Sequence, residues 1–262
     1  MSTTIINFVH ANGFPAASYQ TFFNCFSGDH QLVANQQYGH NPKYPLDNNW
    51  KNLVDELLDY IREQKQPVIC LGHSFGGVLS YMAACQQPQL FKGLIMLDPP
   101  VLTGPLASLM GLLKNTRFID KITPAGKAEI RRNNWPLGSN MAGQFANRKL
   151  FRHFDKRCLE DYARHCVTER NQRLELNFSP EIEAGIFRSL PTNLSRYKNK
   201  LTVPAALIYG EKSDLYPHFV FKRFARTNNI QIKRINKAGH MFPLERPEAT
   251  ARLVESVIQG WQ

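Results

Sequence analysis

Val68-Ile69-Cys70-Leu71-Gly72-His73-Ser74-Phe75-Gly76-Gly77 joins a short apolar, β-branched run to a Gly-x-Ser-x-Gly pentapeptide, and a helical pattern follows without a gap. A strand-to-helix turn this tight lifts Ser74 out of the backbone. Glycines two positions to either side leave room for the strained conformation that the turn requires. A helix starting behind the serine aims its first N–H groups, and the positive end of its dipole, at any oxyanion formed nearby. A serine hydroxyl remains a weak nucleophile until a base improves it, so partners must come from elsewhere in the chain.

Two downstream segments supply them. Ala205-Ala206-Leu207-Ile208-Tyr209-Gly210 reads as a buried strand ending in a turn that carries Asp214. Ile230-Gln231-Ile232-Lys233-Arg234-Ile235 alternates like a half-buried strand and leads to Ala238-Gly239-His240. Both residues therefore fall just past strand C-termini, the edge of an open parallel sheet where ligand sites form. Asp98, ending Gly93-Leu94-Ile95-Met96-Leu97, has the same kind of placement and is the alternative acid.

On these residues the chain resembles the α/β-hydrolase superfamily over nearly its whole length. The likeness rests on Asn12-Gly13-Phe14-Pro15 after the first strand, the elbow at Gly72–Gly77, Gly210–Asp214, and Gly239-His240 followed by Pro243, Glu245, Arg246 and Pro247. It implies Ser74 as nucleophile, His240 as general base and acid, and Asp214 as the carboxylate orienting the imidazole. It also implies an oxyanion hole from two backbone N–H groups, one of Phe75 and one of Phe14. The second assignment aligns the chain on Gly13-Phe14-Pro15; His10-Ala11-Asn12-Gly13-Phe14 departs from the family's simple His-Gly-Phe, which leaves Asn12 standing where the histidine belongs or two residues inserted. His10 either hydrogen-bonds this loop or lines the pocket, and His73 is expected to be a packed neighbour of the elbow.

The resemblance implies a shortened sheet of about six strands, mostly or wholly parallel and flanked by helices. Strands are expected near 4–9, 31–36, 67–72 and 92–97, with helices near 15–26, 48–64 and 75–87. The helix at 48–64 has Leu53, Leu57, Leu58 and Ile61 on one face, with Lys51, Asp55, Glu56 and Arg62 elsewhere. After Asp98 the β/α alternation stops, to resume at Val203. Residues 1–100 and 201–262 are thus expected to form the core domain and 101–200 a helical cap, with helices near 104–114, 124–133, 141–151, 155–170 and 180–188. Leu109, Leu112, Leu113, Phe118 and Phe145 are candidates for its pocket wall.

Composition narrows the classes. The 262 residues are 43% hydrophobic, enough for one large core, and the five cysteines are scattered without Cys-x-x-Cys spacing. No Cys/His cluster has metal-ligand spacing, so neither metal nor cofactor is expected. Met1-Ser2-Thr3-Thr4 runs straight into Ile5-Ile6-Asn7-Phe8-Val9, which reads as a first strand instead of a signal peptide. No stretch approaches the length of a membrane span. A cytoplasmic protein is the expectation. Of the net charge of +11, most belongs to the interval 104–200, with 18 Lys and Arg against 9 Asp and Glu. A stretch with Arg148, Lys149, Phe151, Arg152, His153, Phe154, Lys156 and Arg157 invites phosphates. A solvated helical face is the plainer reading, an attraction to anionic or acyl-carrier-linked small substrates the next, and nucleic acid or a membrane surface the last.

The function expected is hydrolysis of a small-to-medium carboxylic ester or thioester through an acyl-enzyme on Ser74. Carbon–carbon bond hydrolysis or acyl transfer with the same residues is the alternative, and a ligand-binding receptor on the same shell is the third. Serine at position 74 argues against the members of this fold that use an aspartate there.

Overall fold

A computed structural model describes residues 3–261; Met1, Ser2 and Gln262 lie outside the described residues. Six strands, β1 (Thr4–Val9), β2 (His30–Ala34), β3 (Val68–His73), β4 (Phe91–Leu97), β8 (Ala205–Gly210) and β9 (Gln231–Ile235), form one sheet in the order β2-β1-β3-β4-β8-β9. Three further short strands, β5 to β7, fall between β4 and β8 and are described below. Every pairing in the six-stranded sheet is parallel. Parallel strands covered by helices on both faces need apolar residues at nearly every position, and β3 is buried throughout. Its side chains alternate between two cores. Val68 and Cys70 pack into one with Leu94 and Met96 of β4, while Ile69 and Leu71 pack into the other with Ile95 and Leu97. Full burial of each such aliphatic side chain is worth about 1.5–3 kcal/mol.

The helices follow from the same logic. Helix α1 (Lys51–Arg62) buries Leu53, Val54, Leu57, Leu58 and Ile61 along one stripe. Glu56, expected on the solvent side, is buried too. Its carboxylate accepts the Gly39 N–H at 3.1 Å and the Asn35 amide at 3.4 Å, tying the loop after β2 to the helix. Helix α2 (Phe75–Gln86) has nearly every side chain buried, as befits the helix behind the elbow.

Between Asp98 and Ala205 the chain leaves the sheet. Helices α3 (Gly104–Leu113), α4 (Lys156–His165) and α5 (Pro180–Arg188) alternate with shorter helical turns at 119–122, 125–129, 141–146 and 149–151. The segment is not wholly helical. Strands β5 (Asn134–Pro136), β6 (Val167–Arg170) and β7 (Arg173–Leu176) form a small antiparallel sheet in the order β5-β7-β6. The helix expected over 155–170 therefore ends at His165. Asn171 and Gln172 both take positive φ (48° and 57°) and turn β6 into β7 as a two-residue hairpin. Helix α6 (His218–Thr227) lies between β8 and β9, and α7 (Pro247–Gln259) follows β9. Among the described residues no helix is long and apolar enough to cross a membrane.

Candidate active site

The elbow is held by backbone crowding. Ser74 sits at φ 53°, ψ −117°, a conformation that costs a non-glycine residue about 1–3 kcal/mol and persists only when its surroundings enforce it. A Cβ at Gly76 would lie 2.1 Å from the Val9 carbonyl oxygen, and one at Gly72 would lie 2.3 Å from the Gly76 carbonyl oxygen. No side chain fits at either position, so strand β1, the serine and the start of α2 come together only with glycine at both. Ser74 N–H extends the ladder to the Leu97 carbonyl at 2.8 Å, which fixes its height above β4.

His240 follows β9 and reaches Ser74. Its Nε2 lies 3.0 Å from Ser74 Oγ, and its Nδ1 lies 2.7 Å from Asp98 Oδ2. A carboxylate accepts only, so the proton is on Nδ1 and Nε2 is free to accept from the serine. Asp98 is fully buried and also accepts the Gly210 N–H at 3.0 Å and the Ser213 hydroxyl at 2.5 Å. The carboxylate beside His240 is therefore Asp98, at the end of β4, and not Asp214. The Asp214 side chain is exposed, and it is the neighbouring Ser213 that turns inward, onto Asp98.

The second expected oxyanion donor also differs. Phe14 N–H donates to the Ala11 carbonyl at 3.0 Å, closing the turn Ala11–Phe14. Ala11 N–H meets the Tyr19 hydroxyl at 3.3 Å. Among the described residues the N–H groups of Asn12 and Phe75 have no protein acceptor, and both residues line the chamber that contains Ser74. The Asn12 side chain is anchored away from that role, its amide donating to the Glu183 carbonyl at 2.9 Å.

Two buried histidines brace the loops. His10 does not line the chamber. It accepts the Tyr38 N–H at 3.0 Å through Nε2 and donates from Nδ1 to the Ala11 carbonyl at 2.9 Å. His73 donates from Nε2 to the His240 carbonyl at 3.1 Å and accepts the Tyr19 hydroxyl on Nδ1 at 2.8 Å. A chain Ala11–Tyr19–His73–His240 thus ties the loop after β1 to the loop carrying His240. Tyr19 was invisible as a site residue in the sequence because it lies in an unremarkable Ala-Ala-Ser-Tyr turn.

Burial pushes the His10 ring down to about 4 and the His73 ring down to about 3. Both are neutral in the folded protein, whereas in the unfolded chain they take up a proton near 6.5. The unfolded state therefore binds more protons in this window, and stability falls with falling pH by about 1.4 kcal/mol per unit for each ring. Thermal unfolding followed from about pH 7 to about pH 4 should show Tm dropping steadily, and His73→Gln should flatten the slope. A flat Tm in the unaltered protein over that range would mean that the rings are hydrated.

The chamber above Ser74 encloses about 400 Å³, within the roughly 300–1,000 Å³ usual for small-molecule sites. Its wall is apolar, with Trp50, Phe75, Leu102, Met110, Ile186 and Phe187. Of the residues expected there, Leu109, Leu112 and Phe118 are exposed, and Met110 on the same helix faces the chamber instead. Phe145 packs with Phe14, Phe151, Phe154 and Tyr162 in an aromatic cluster behind the wall. Among the described residues the one carboxylate in the wall is Glu183, paired with Arg131 at 2.7 Å; burial raises its carboxyl above the ordinary range.

The model of the alpha/beta hydrolase family matches residues 8–253. A type I acyl-CoA thioesterase of Penicillium brevicompactum is 26% identical over 243 residues, spanning 85% of this chain and 51% of that protein. A monoglyceride lipase of Mus musculus is 41% identical over 194 residues, spanning 73% of this chain and 57% of the lipase. The chain thus spans little more than half the length of either of these two relatives. Among solved structures, an E-2-(acetamidomethylene)succinate hydrolase superposes with a TM-score of 0.78 at 18% identity, over 98% of this chain and 92% of that one.

Proposed function

Because this chain belongs to the alpha/beta hydrolase family, we propose that it hydrolyses a carboxylic ester or thioester through an acyl-enzyme on Ser74. The observation that carries the proposal is the His240 ring, which bridges Ser74 Oγ and Asp98 Oδ2 with its two nitrogens. In this mechanism His240 Nε2 takes the Ser74 proton as Oγ attacks the carbonyl carbon, and buried Asp98 stabilises the imidazolium. The carbonyl oxygen, now negative, is held by the N–H groups of Phe75 and Asn12, with the α2 dipole behind the first of them. Collapse breaks the bond to the leaving group, which receives the proton from His240. The same ring then takes a proton from water; the hydroxide bonds to the acyl carbon, the bond to Ser74 Oγ breaks, and His240 returns the proton to Oγ as the acid is released. The acyl part occupies the apolar chamber, under residues 101–200 acting as a cap. The thioesterase and the lipase among its relatives support an acyl substrate.

A series of p-nitrophenyl esters from acetate to laurate, with the matching N-acetylcysteamine thioesters, tests this directly. Turnover should rise to an optimum at the chain length that fills the chamber, and a fluorophosphonate should label Ser74. Labelling without ester or thioester turnover would shift the assignment to carbon–carbon hydrolysis or acyl transfer. Absence of both would leave a receptor.

A further inference from the structure

His240 stands between two spaces of opposite character. On one side is the apolar chamber; on the other is a cleft of about 820 Å³ lined by Lys127, Lys149, Arg152, Lys212, Lys237 and Arg246. Pro124, Leu150, His240 and Met241 belong to both walls. The six cations come from separate stretches of chain: the segment between β4 and β8, the loop after β8, the loop after β9 and the start of α7. Against them stand the carboxylates of Asp214 and Glu245, and Glu245 already accepts the Gly239 N–H at 2.7 Å.

The cations of the cleft are also unspent. Arg131, Arg157 and Arg188 of the same basic segment are each paired with one or two carboxylates. Among the described residues none of the six in the cleft forms an ion pair. Like charges that converge on one concavity without partners repel one another and set up a field that a polyanion relieves. The aromatic residues interleaved with this basic stretch do not offer stacking platforms for bases, because Phe151 is buried and both it and Phe154 pack in the cluster with Phe14.

We propose that the cleft binds phosphates carried by the leaving group, so that the preferred substrates are acyl thioesters of a phosphorylated thiol. This rests on the acyl-enzyme reading above. In that reaction the bond from Ser74 Oγ to the acyl carbon forms and the carbon–sulfur bond breaks. The departing thiolate takes back the proton that His240 removed from Ser74, so it must leave on the His240 side. The chamber over Ser74 suits the apolar acyl chain, and the space across His240 is the charged cleft.

Coenzyme A is the probe for the site and Ser74→Ala the protein that separates binding from turnover. Calorimetry should show coenzyme A bound to Ser74→Ala, weakening as salt rises from about 0.05 to about 0.5 M. Pantetheine, which lacks the phosphates, should bind at least about tenfold more weakly, and adding K149E, R152E and K237E should weaken coenzyme A by a similar factor. Lys92→Glu, on an exposed site at the start of β4, is the control that should change nothing. With Ser74 intact, kcat/KM for octanoyl-coenzyme A should exceed that for octanoyl-N-acetylcysteamine by about tenfold or more, and the charge reversals should erase the preference. Coenzyme A binding that is absent, or indifferent to the reversals, overturns the inference. So does equal turnover of the two thioesters, which would leave the hydrolase itself standing. Failure of both thioesters with coenzyme A still bound supports the phosphate site and overturns the hydrolytic reading. Single-stranded RNA held in the cleft more tightly than coenzyme A would overturn the inference in favour of nucleic acid.

Discussion

Asp98→Asn is expected to lower kcat for a neutral ester by roughly 10⁴-fold, whereas Asp214→Asn should change it by no more than a few-fold. The reason is a proton's position. Asp98 Oδ2 sits 2.7 Å from His240 Nδ1 and also accepts the Ser213 hydroxyl. An amide at position 98 has one donor and one acceptor group. Turned so that its NH₂ faces the ring, it places the imidazole proton on Nε2, pointed at Ser74, where it blocks removal of the serine proton. Either way it has no negative charge to set against an imidazolium. The Asp214 carboxylate is exposed and touches neither ring nitrogen. Steady-state kinetics with p-nitrophenyl butyrate check both variants, and a large loss in the 214 variant with a mild one in the 98 variant would reverse the assignment.

Gly76→Ala is expected to remove about 4 kcal/mol or more of stability, a loss that lowers Tm by roughly 10 °C or prevents folding outright. The added Cβ would lie 2.1 Å from the Val9 carbonyl oxygen, 2.6 Å from its carbon and 2.7 Å from the His10 oxygen. All three are backbone atoms in or beside β1, fully buried, and none can swing aside as a side chain does. Gly111→Ala is the matched control, since its Cβ would meet just one side chain, Thr192, at 3.3 Å from the hydroxyl and 3.7 Å from its Cβ, on a half-buried helix position. There the gain in helix propensity, about 0.5–1 kcal/mol, offsets the tight contact. Urea unfolding of both variants measures the difference, and a Gly76→Ala protein as stable as its parent would show that β1 and α2 lie further apart than described.

Much of this was legible in the sequence. An unbroken β-branched run, a Gly-x-Ser-x-Gly turn and an apolar helix can pack in few ways, so β3, the elbow and α2 are found where the pattern puts them. His240 likewise follows from its place after an alternating strand. The acid was not decidable in this way, because Asp98 and Asp214 both follow buried strands, β4 and β8, that are neighbours in the sheet. What separates them is local: Asp98 takes φ 46° and is enclosed by Gly210 and Ser213, while Asp214 is left outside. The loop after β1 posed the same difficulty, since only its hydrogen bonds reveal that the Phe14 amide closes a turn. The hairpin β6–β7 was hidden by strands of four residues with Glu169, Arg170 and Arg173 among them, and by a turn of Asn-Gln that lacks the usual glycine. Glu56 was misread because a charged residue is buried only where backbone donors await it.

The wall that His240 shares between chamber and cleft gives the two halves of a cleaved substrate different surroundings. In the proposed acyl-enzyme the leaving group faces the charged cleft and the acyl part the apolar chamber, so the two products part on opposite sides of His240. The thiol or alcohol departs first, and its vacated space lets water approach His240 from that side while the acyl chain stays dry. If the proposed cycle holds, the acid should be the tighter product inhibitor, more so as its chain lengthens, because its apolar part is the one that leaves water for the chamber.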